Sequence, residues 1–247
     1  MGPNTSALTQ TLPEKIAAAV ADRVVTGEYQ AGDRLLESTL VKTFNVSHGP
    51  IRDALRILQG SGLVTIHPYR GAQVTELSVR EVMEIYQVRA ALVGLRARWI
   101  AEDDARHGLI AQLQKPIAHL TELARMPHKC EQYVEAALAV NSTLTESLSN
   151  RWLRDMLRAL TLQTRRYTRL ALASVERRKD SARLWRKLLE AIQSGDGECA
   201  QNIASRISLA TRDAAIKHIE AAKGTTTTPL APSADTSRTA RSRPARG

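Results

Sequence analysis

The stretch that decides the fold is VSHGPIRDAL, residues 46–55. It follows a turn at Asn45 and begins a helix predicted over residues 48–59, for which Ser47 is a suitable N-cap. The predicted inner face of this helix consists of Ile51, Leu55 and Leu58. The pattern therefore indicates two helices joined by a tight turn, the second of them amphipathic.

The flanking residues extend this pattern to a larger unit. Helices are predicted over residues 13–26 and 36–44, the latter with Leu36, Leu40 and Phe44 on its inner face. Two β-like runs, residues 63–67 and 72–76, follow and are joined by a turn. Three helices and a hairpin in this order predict a winged helix-turn-helix, whose third helix enters the DNA major groove.

Four segments carry a resemblance to a known family. They are GDRLLE (32–37), VSHGPIRDAL (46–55), GLV (62–64) and RGAQV (70–74), and together they resemble the DNA-binding domain of GntR-family bacterial regulators. The resemblance implies a double-stranded DNA operator as partner. The candidate DNA-binding residues are Arg34, Ser38, Ser47, His48, Gly49, Pro50, Arg52, Tyr69, Arg70 and Gly71.

Among these residues, Arg52 projects one turn into the third helix, where a guanidinium reaches a guanine edge or a phosphate. Members of the FadR subfamily usually carry arginine where this chain has Ser38 and His48, so we expect a different operator at those positions. The sequence leaves open whether His48 contacts a base or caps its helix.

Downstream, the pattern is helical throughout. Helices are predicted over residues 79–103, 105–125, 129–148, 151–173, 176–194 and 197–222. This region resembles the FCD effector domain of the FadR subfamily, through YQVR (86–89), NRWL (150–153) and AIQSGD (191–196). The predicted fold class is mainly α, with an N-terminal winged helix-turn-helix and a C-terminal antiparallel helical bundle.

Charge and composition indicate the boundaries of the domains and the classes of protein that are excluded. The 247 residues carry a net charge of +10, yet residues 1–78 hold seven basic and seven acidic residues. The predicted organisation is a flexible N-terminus (1–9), a winged helix-turn-helix (10–77), an effector-binding and dimerisation domain (78–223) and a disordered basic tail (224–247). No signal-peptide pattern or membrane-length apolar run is present, which favours a cytoplasmic protein without membrane contact.

The resemblance also raises the question of a metal. Many FCD domains hold a divalent metal through one Asp and three His, and those positions fall here on Ala137, Asn141, Trp185 and Ile207. Alanine and isoleucine have no ligating atom, and the indole of tryptophan offers only an N–H donor. We therefore expect no metal and no other cofactor. Nor does any nucleophile–base pair or carboxylate dyad suggest an enzyme.

Two arginines fall inside the apolar arc of the first bundle helix, namely Arg89 and Arg96. A charge that faces a core requires a partner. The partner is either a core carboxylate, such as Asp155 or Glu135, or the carboxylate of a bound effector. Asn141 is then a second polar anchor and Trp185 a flat apolar wall, which completes the candidate effector-binding set.

The sequence thus predicts a homodimeric repressor that a small carboxylate metabolite, either an aromatic-degradation intermediate or an organic acid, releases from its operator. Two alternatives remain open: an activator or effector-independent regulator, and an architectural protein that binds nucleic acid without sequence preference. A further stripe (Arg151, Arg154, Arg158, Arg165 and Arg169) is expected to be a solvated surface opposite a core face that includes Trp152 and Met156.

Overall fold

The computed structural model describes residues 10–67 and 71–225. Both predicted flexible ends, apart from the last helical residues before 226, and the hairpin residues Tyr69 and Arg70 lie outside this range. The elements are α1 Leu12–Thr26, β1 Arg34–Leu35, α2 Glu37–Phe44, α3 His48–Gly60, β2 Val64–His67, β3 Gly71–Val74, α4 Val79–Glu102, α5 Arg106–Leu123, a 3-10 turn Pro127–Lys129, α6 Cys130–Glu146, α7 Arg151–Ala171, α8 Val175–Ser194 and α9 Gly197–Thr225.

The N-terminal elements α1 to β3 form a winged-helix unit. Thr11 and Glu14 make a capping box at the start of α1, and Gly27 ends the helix in the left-handed conformation at φ 84°. Asn45 adopts the same conformation at φ 51° and makes the tight turn between α2 and α3. The sheet has the order β1-β3-β2, with both pairs antiparallel. These elements enclose one apolar core, which includes Val20, Leu40, Ile51 and Leu58.

Helices α4 to α9 form the helical bundle, which has its own core. The central apolar residues include Leu113, Leu120, Tyr133, Leu144 and Leu188. Helices α4 and α9 approach closely at Gly94, where an added Cβ would lie 2.5 Å from the Ser205 hydroxyl. Ser205 itself donates to the Ala90 carbonyl at 2.9 Å. A glycine in the middle of α4 is therefore explained by the packing of these two helices.

The two units meet at α7. Leu162 packs against the core of the winged-helix unit. The Tyr167 hydroxyl accepts a hydrogen bond from the Leu77 amide at 3.2 Å, and Arg169 donates to the Val25 carbonyl at 3.1 Å. Helix α7 is thus the main bundle element on which the winged-helix unit rests.

The structure confirms the predicted fold class and corrects details. The short strand β1 has no signal in the sequence, since two residues are too few for a periodic pattern. Leu36 is the N-cap of α2 and is 56% exposed, so it is not part of the inner face. On α7, Trp152 and Met156 are exposed, and the core face is formed instead by residues such as Leu153 and Leu157.

The close approach at Gly94 predicts a stability effect. Gly94→Ala places a methyl group against Ser205 and the Gln201 carbonyl, and we expect it to lower the free energy of unfolding by about 1–3 kcal/mol. The matched control is Gly108→Ala in α5, where no heavy atom lies within 4 Å of the new Cβ. The control should be neutral or stabilising in urea denaturation. Equal stability of both variants would contradict the packing argument.

Candidate functional site

The N-terminal end of α3 is the first candidate surface. His48, Gly49 and Arg52 are exposed, while Ile51 is fully buried and fixes the helix on the core. The side of α3 that carries Arg52 therefore faces away from the protein. Exposed N-terminal residues on the second helix of a helix-turn-helix are those that contact base edges in the major groove.

A carboxylate holds the Arg52 side chain in place. Glu37 Oε2 accepts a hydrogen bond from Arg52 Nε at 2.9 Å and lies 3.4 Å from His48 Nδ1. Because Nε is the donor, the two terminal nitrogens of Arg52 remain available for the paired acceptors of a guanine edge. The sequence did not single out Glu37. The feature of the sequence that could have identified Glu37 is its position at the start of α2, the helix that precedes α3.

The other predicted DNA-binding residues have different surroundings. Arg34 in β1 and Ser38 in α2 are exposed, and Gly71 begins β3 with φ 79°. Ser47 is the N-cap of α3, but its side chain forms no capping hydrogen bond with the described backbone. The predicted N-cap position of Ser47 is therefore confirmed, and the side-chain hydrogen bond of a cap is not formed.

The second candidate surface lies inside the bundle. A cavity of about 20 Å³ brings together all four predicted effector residues, which come from three different helices. Its lining includes Arg89, Arg96, Asn141, Trp185, Ile207 and Ser208. The spacing within α4 places both arginines on the inner side of the helix, and α6 and α8 supply the amide and the indole.

Arg96 is almost completely buried and is held by neutral groups. Its Nη1 donates to the Asn141 carbonyl at 3.1 Å, to Asn141 Oδ1 at 3.0 Å and to Thr145 Oγ1 at 2.7 Å. Its Nε is buried and has no partner among the described residues. Burial, and to a lesser extent the positive charge of Arg89, lowers the pKa of Arg96 to about 9.

Arg89 has fewer partners than Arg96. Its Nη1 donates to Ser208 Oγ at 3.2 Å, and its Cζ lies 5.8 Å from the ring centroid of Tyr86. Burial lowers the pKa of Arg89, and the Tyr86 hydroxyl partly opposes this shift. Thr145 and Ser208 were missed in the sequence, because isolated hydroxyl residues on a helix have no distinctive pattern.

The two proposed core carboxylates lie elsewhere. Glu135 accepts two hydrogen bonds from Arg165 at 2.9 Å, and Asp155 accepts one from Arg158 at 3.2 Å. Among the described residues, neither Arg89 nor Arg96 has an acidic partner within ion-pair distance. The first alternative from the sequence, a buried pair with Asp155 or Glu135, is therefore wrong.

Models of two known families match the two units of the chain. The family model "Bacterial regulatory proteins, gntR family" matches residues 12–74, and the FCD domain model matches residues 84–210. The FCD match alone covers half of the chain. The chain belongs to the GntR family of bacterial regulators, in the group that carries an FCD domain. The first of these models describes bacterial regulatory proteins.

Individual relatives are distant from this GntR regulator. A Bacillus subtilis HTH-type transcriptional regulator, YdhC, is 27% identical over 54% of the chain and 59% of its own length. A probable D-xylose utilization operon transcriptional repressor of Paenarthrobacter nicotinovorans is 24% identical over 78% of the chain and 83% of its own length. The chain thus spans about three-fifths of the Bacillus relative.

A solved structure supports the fold. The structure titled "E. coli McbR/YncC" aligns with a TM-score of 0.69 and 17% identity, over 89% of this chain and 100% of that one. Within the described ranges, no helix combines the length and apolarity that crossing a bilayer requires.

The metal that the FCD resemblance implies does not fit the residues present. Asn141 Oδ1, the one oxygen ligand among the four matched positions, already accepts a hydrogen bond from Arg96. Ala137, Trp185 and Ile207 supply no ligating atom. Two guanidinium groups line the cavity and would repel a cation.

The arginine stripe on α7 is not simply a solvated surface. Arg158 pairs with Glu146 on α6, Arg165 with Glu135 on α6, and Arg169 with Glu131 at 2.5 Å. Arg154 donates to the Leu148 carbonyl at 2.8 Å. The stripe joins α7 to α6, so the expectation from the sequence is corrected.

The geometry of α3 predicts the effect of removing its arginine. Arg52→Ala should weaken operator binding by about 1–3 kcal/mol, because the paired donors to a base are lost. The control is Arg80→Ala, which removes the same charge from an exposed position on α4. Fluorescence anisotropy with the operator and with unrelated DNA distinguishes the two effects. If both variants bind the operator equally, Arg52 has no role in sequence recognition.

Proposed function

We propose that this regulator is a cytoplasmic homodimeric repressor, released from a pseudo-palindromic operator when a small carboxylate metabolite binds in each helical bundle. The cavity around Arg89 and Arg96 is the observation that supports the binding of an effector. Two buried guanidinium groups without an acidic partner among the described residues favour an anionic ligand, since a carboxylate supplies the missing countercharge.

The chemistry of the cavity favours a carboxylate over other anions of similar charge. The planar guanidinium matches a carboxylate with two parallel hydrogen bonds. Trp185 adds a flat apolar wall beside the charged groups. A monocarboxylate with an adjoining carbon skeleton uses both features, as expected for an organic acid or an aromatic acid.

The size of the cavity has a further consequence. A volume of about 20 Å³ accommodates roughly one water molecule and no metabolite. Effector binding therefore requires a rearrangement of the helices that surround the arginines. A ligand that binds one arrangement better than the other shifts the equilibrium between them, which is the requirement for a regulator.

Repression is supported by a relative of this chain, and dimerisation by the way in which helix-turn-helix proteins contact DNA. The Paenarthrobacter relative is described as a repressor of a D-xylose utilization operon. One α3 contacts only a few base pairs, and a two-fold dimer places two such helices on successive major grooves. A change in the separation of the two winged-helix units then lowers operator affinity.

The proposed carboxylate site predicts a separation of two activities. Arg89→Met keeps the side-chain volume and removes the charge, so the response of operator binding to benzoate or D-gluconate should be lost while affinity without acid is retained. The control is Arg98→Met, an exposed α4 arginine paired with Glu102. Operator anisotropy with increasing acid measures both properties. An undiminished acid response in Arg89→Met, or acid-independent operator binding by the wild type, would refute the carboxylate site.

The lowered pKa of Arg96 predicts a pH dependence. The protonated guanidinium binds a carboxylate, and above its pKa of about 9 the neutral form predominates. Affinity for the acid should therefore fall as pH rises from about 8 to about 10, by up to tenfold per pH unit beyond the pKa. Calorimetric titration of the wild type and Arg96→Met tests this. Any residual binding by Arg96→Met should lack the fall that begins near the pKa of Arg96, about 9, and a pH-independent wild type would contradict the assignment.

A further inference from the structure

His48 is the first residue of α3, and its side chain is 57% exposed. It lies on the same face of the helix as Arg52, which follows one turn later. The ring nitrogen Nδ1 lies 3.4 Å from Glu37 Oε2, and the same oxygen accepts a hydrogen bond from Arg52 Nε at 2.9 Å. One carboxylate oxygen on α2 therefore contacts both exposed side chains at the start of α3.

The contact with Glu37 determines which nitrogen of the His48 ring carries the hydrogen. An ionised carboxylate only accepts hydrogen bonds, so Nδ1 is the donor in this contact. A neutral imidazole has one donor nitrogen and one acceptor nitrogen, and Nε2 is therefore left with a lone pair. Within the described parts of the chain, the ring forms its hydrogen bond through Nδ1 and to α2, so Nε2 is free to accept a hydrogen bond from another molecule.

An acceptor nitrogen distinguishes the bases of the major groove in a particular way. Adenine and cytosine present amino groups there, at N6 and N4, whereas guanine and thymine present the acceptor oxygens O6 and O4. A lone pair attracts an amino group and is repelled by a keto oxygen. A guanidinium only donates, so Arg52 has the opposite preference and matches the acceptors of guanine. The same oxygen of Glu37 thus holds one side chain that accepts and one that donates.

We propose that His48 is a specificity-determining residue that selects adenine or cytosine on the strand it contacts, because Glu37 fixes its Nε2 as an acceptor. Residues four apart on a helix have Cβ atoms about 6 Å apart, and successive bases of one strand are about 3.4 Å apart along the helix axis. The base selected by His48 therefore lies within about two base pairs of the guanine contacted by Arg52. This inference rests on the proposed function in one respect, namely that α3 binds an operator.

The first experiment selects duplexes from a DNA pool with a randomised centre at pH 8, where a histidine side chain in water is neutral. The full-length wild type should recover adenine or cytosine at one position of each half-site, and His48→Ala should lose that preference alone. The position should lie within about two base pairs of the guanine that Arg52→Ala no longer selects. Unchanged preferences in His48→Ala overturn the inference. A wild type that selects no sequence at all refutes the proposed function, and this inference with it.

Base analogues identify the atom and the strand that His48 contacts. The selected adenine is replaced by purine, or the selected cytosine by 2-pyrimidinone, each of which lacks only the amino group. The wild-type Kd should rise about fivefold, as expected for the loss of one hydrogen bond. His48→Ala reports the cost of the weakened base pair alone, so its Kd should change much less. An equal rise in both proteins overturns the contact. His48→Arg should instead select guanine at this position, since arginine only donates.

The role of Glu37 is tested with the same pair of duplexes. Glu37→Ala leaves the ring without the acceptor that holds the hydrogen on Nδ1, so the ratio of the two Kd values should fall from about five toward one. This ratio is measured within one variant and is therefore independent of any overall loss of affinity through Arg52. The matched control is Glu28→Ala, which removes an exposed glutamate paired with Arg23 in the same unit and should keep the wild-type ratio. A wild-type ratio in Glu37→Ala overturns the role of Glu37.

Discussion

The buried, positively charged pair of Arg89 and Arg96 is the constraint on which the helical bundle depends. Both guanidinium groups are surrounded by neutral acceptors on α6 and α9. Burial, and to a lesser extent the positive charge of Arg89, lowers the pKa of Arg96. Neutral hydrogen bonds only partly replace the hydration that two buried cations lose. The arrangement is therefore less stable than an apolar core of the same shape. Such a sacrifice of stability is typical of a binding site, where a ligand supplies the missing interaction.

Helix α7 connects this constraint to the DNA-binding end of the molecule. One side of the helix carries Thr161, Leu162 and Arg165 into a groove between α6 and α7, beside Asn141. Further contacts, from Tyr167 to the linker and from Arg169 to the end of α1, attach the winged-helix unit to the same helix. Because these contacts are few and mostly polar, a small displacement of α7 changes several of them together. Polar contacts between domains commonly allow relative movement.

The sequence predicted the architecture well and the contacts less well. Apolar periodicity located α1, α3 and the six bundle helices, since each buries one face against a core. The same periodicity misplaced the core face of α7. Apolar residues lie on more than one side of this helix, and the side that carries Trp152 and Met156 is exposed in the structure. The residues Arg89, Arg96, Asn141 and Trp185 were brought together by resemblance and by the arginines in an apolar arc. Their hydroxyl partners, the role of Glu37 and the groove between α6 and α7 arise from tertiary packing, which no local pattern encodes.

In the proposed function, the direction of regulation depends on which arrangement of the bundle leaves room for a carboxylate beside Arg89 and Arg96. In the arrangement that the structure shows, here called closed, the cavity accommodates no more than a water molecule. The Arg96 guanidinium donates to Asn141 Oδ1 in this arrangement. The carboxylate of the proposed function requires an opened arrangement, so its binding free energy would favour that arrangement alone. The closed arrangement is the one in which Leu162 and Arg165 hold the winged-helix unit in a single position. If operator binding requires that position in both subunits, the carboxylate and the operator favour opposite arrangements, and each must weaken the binding of the other by the same factor.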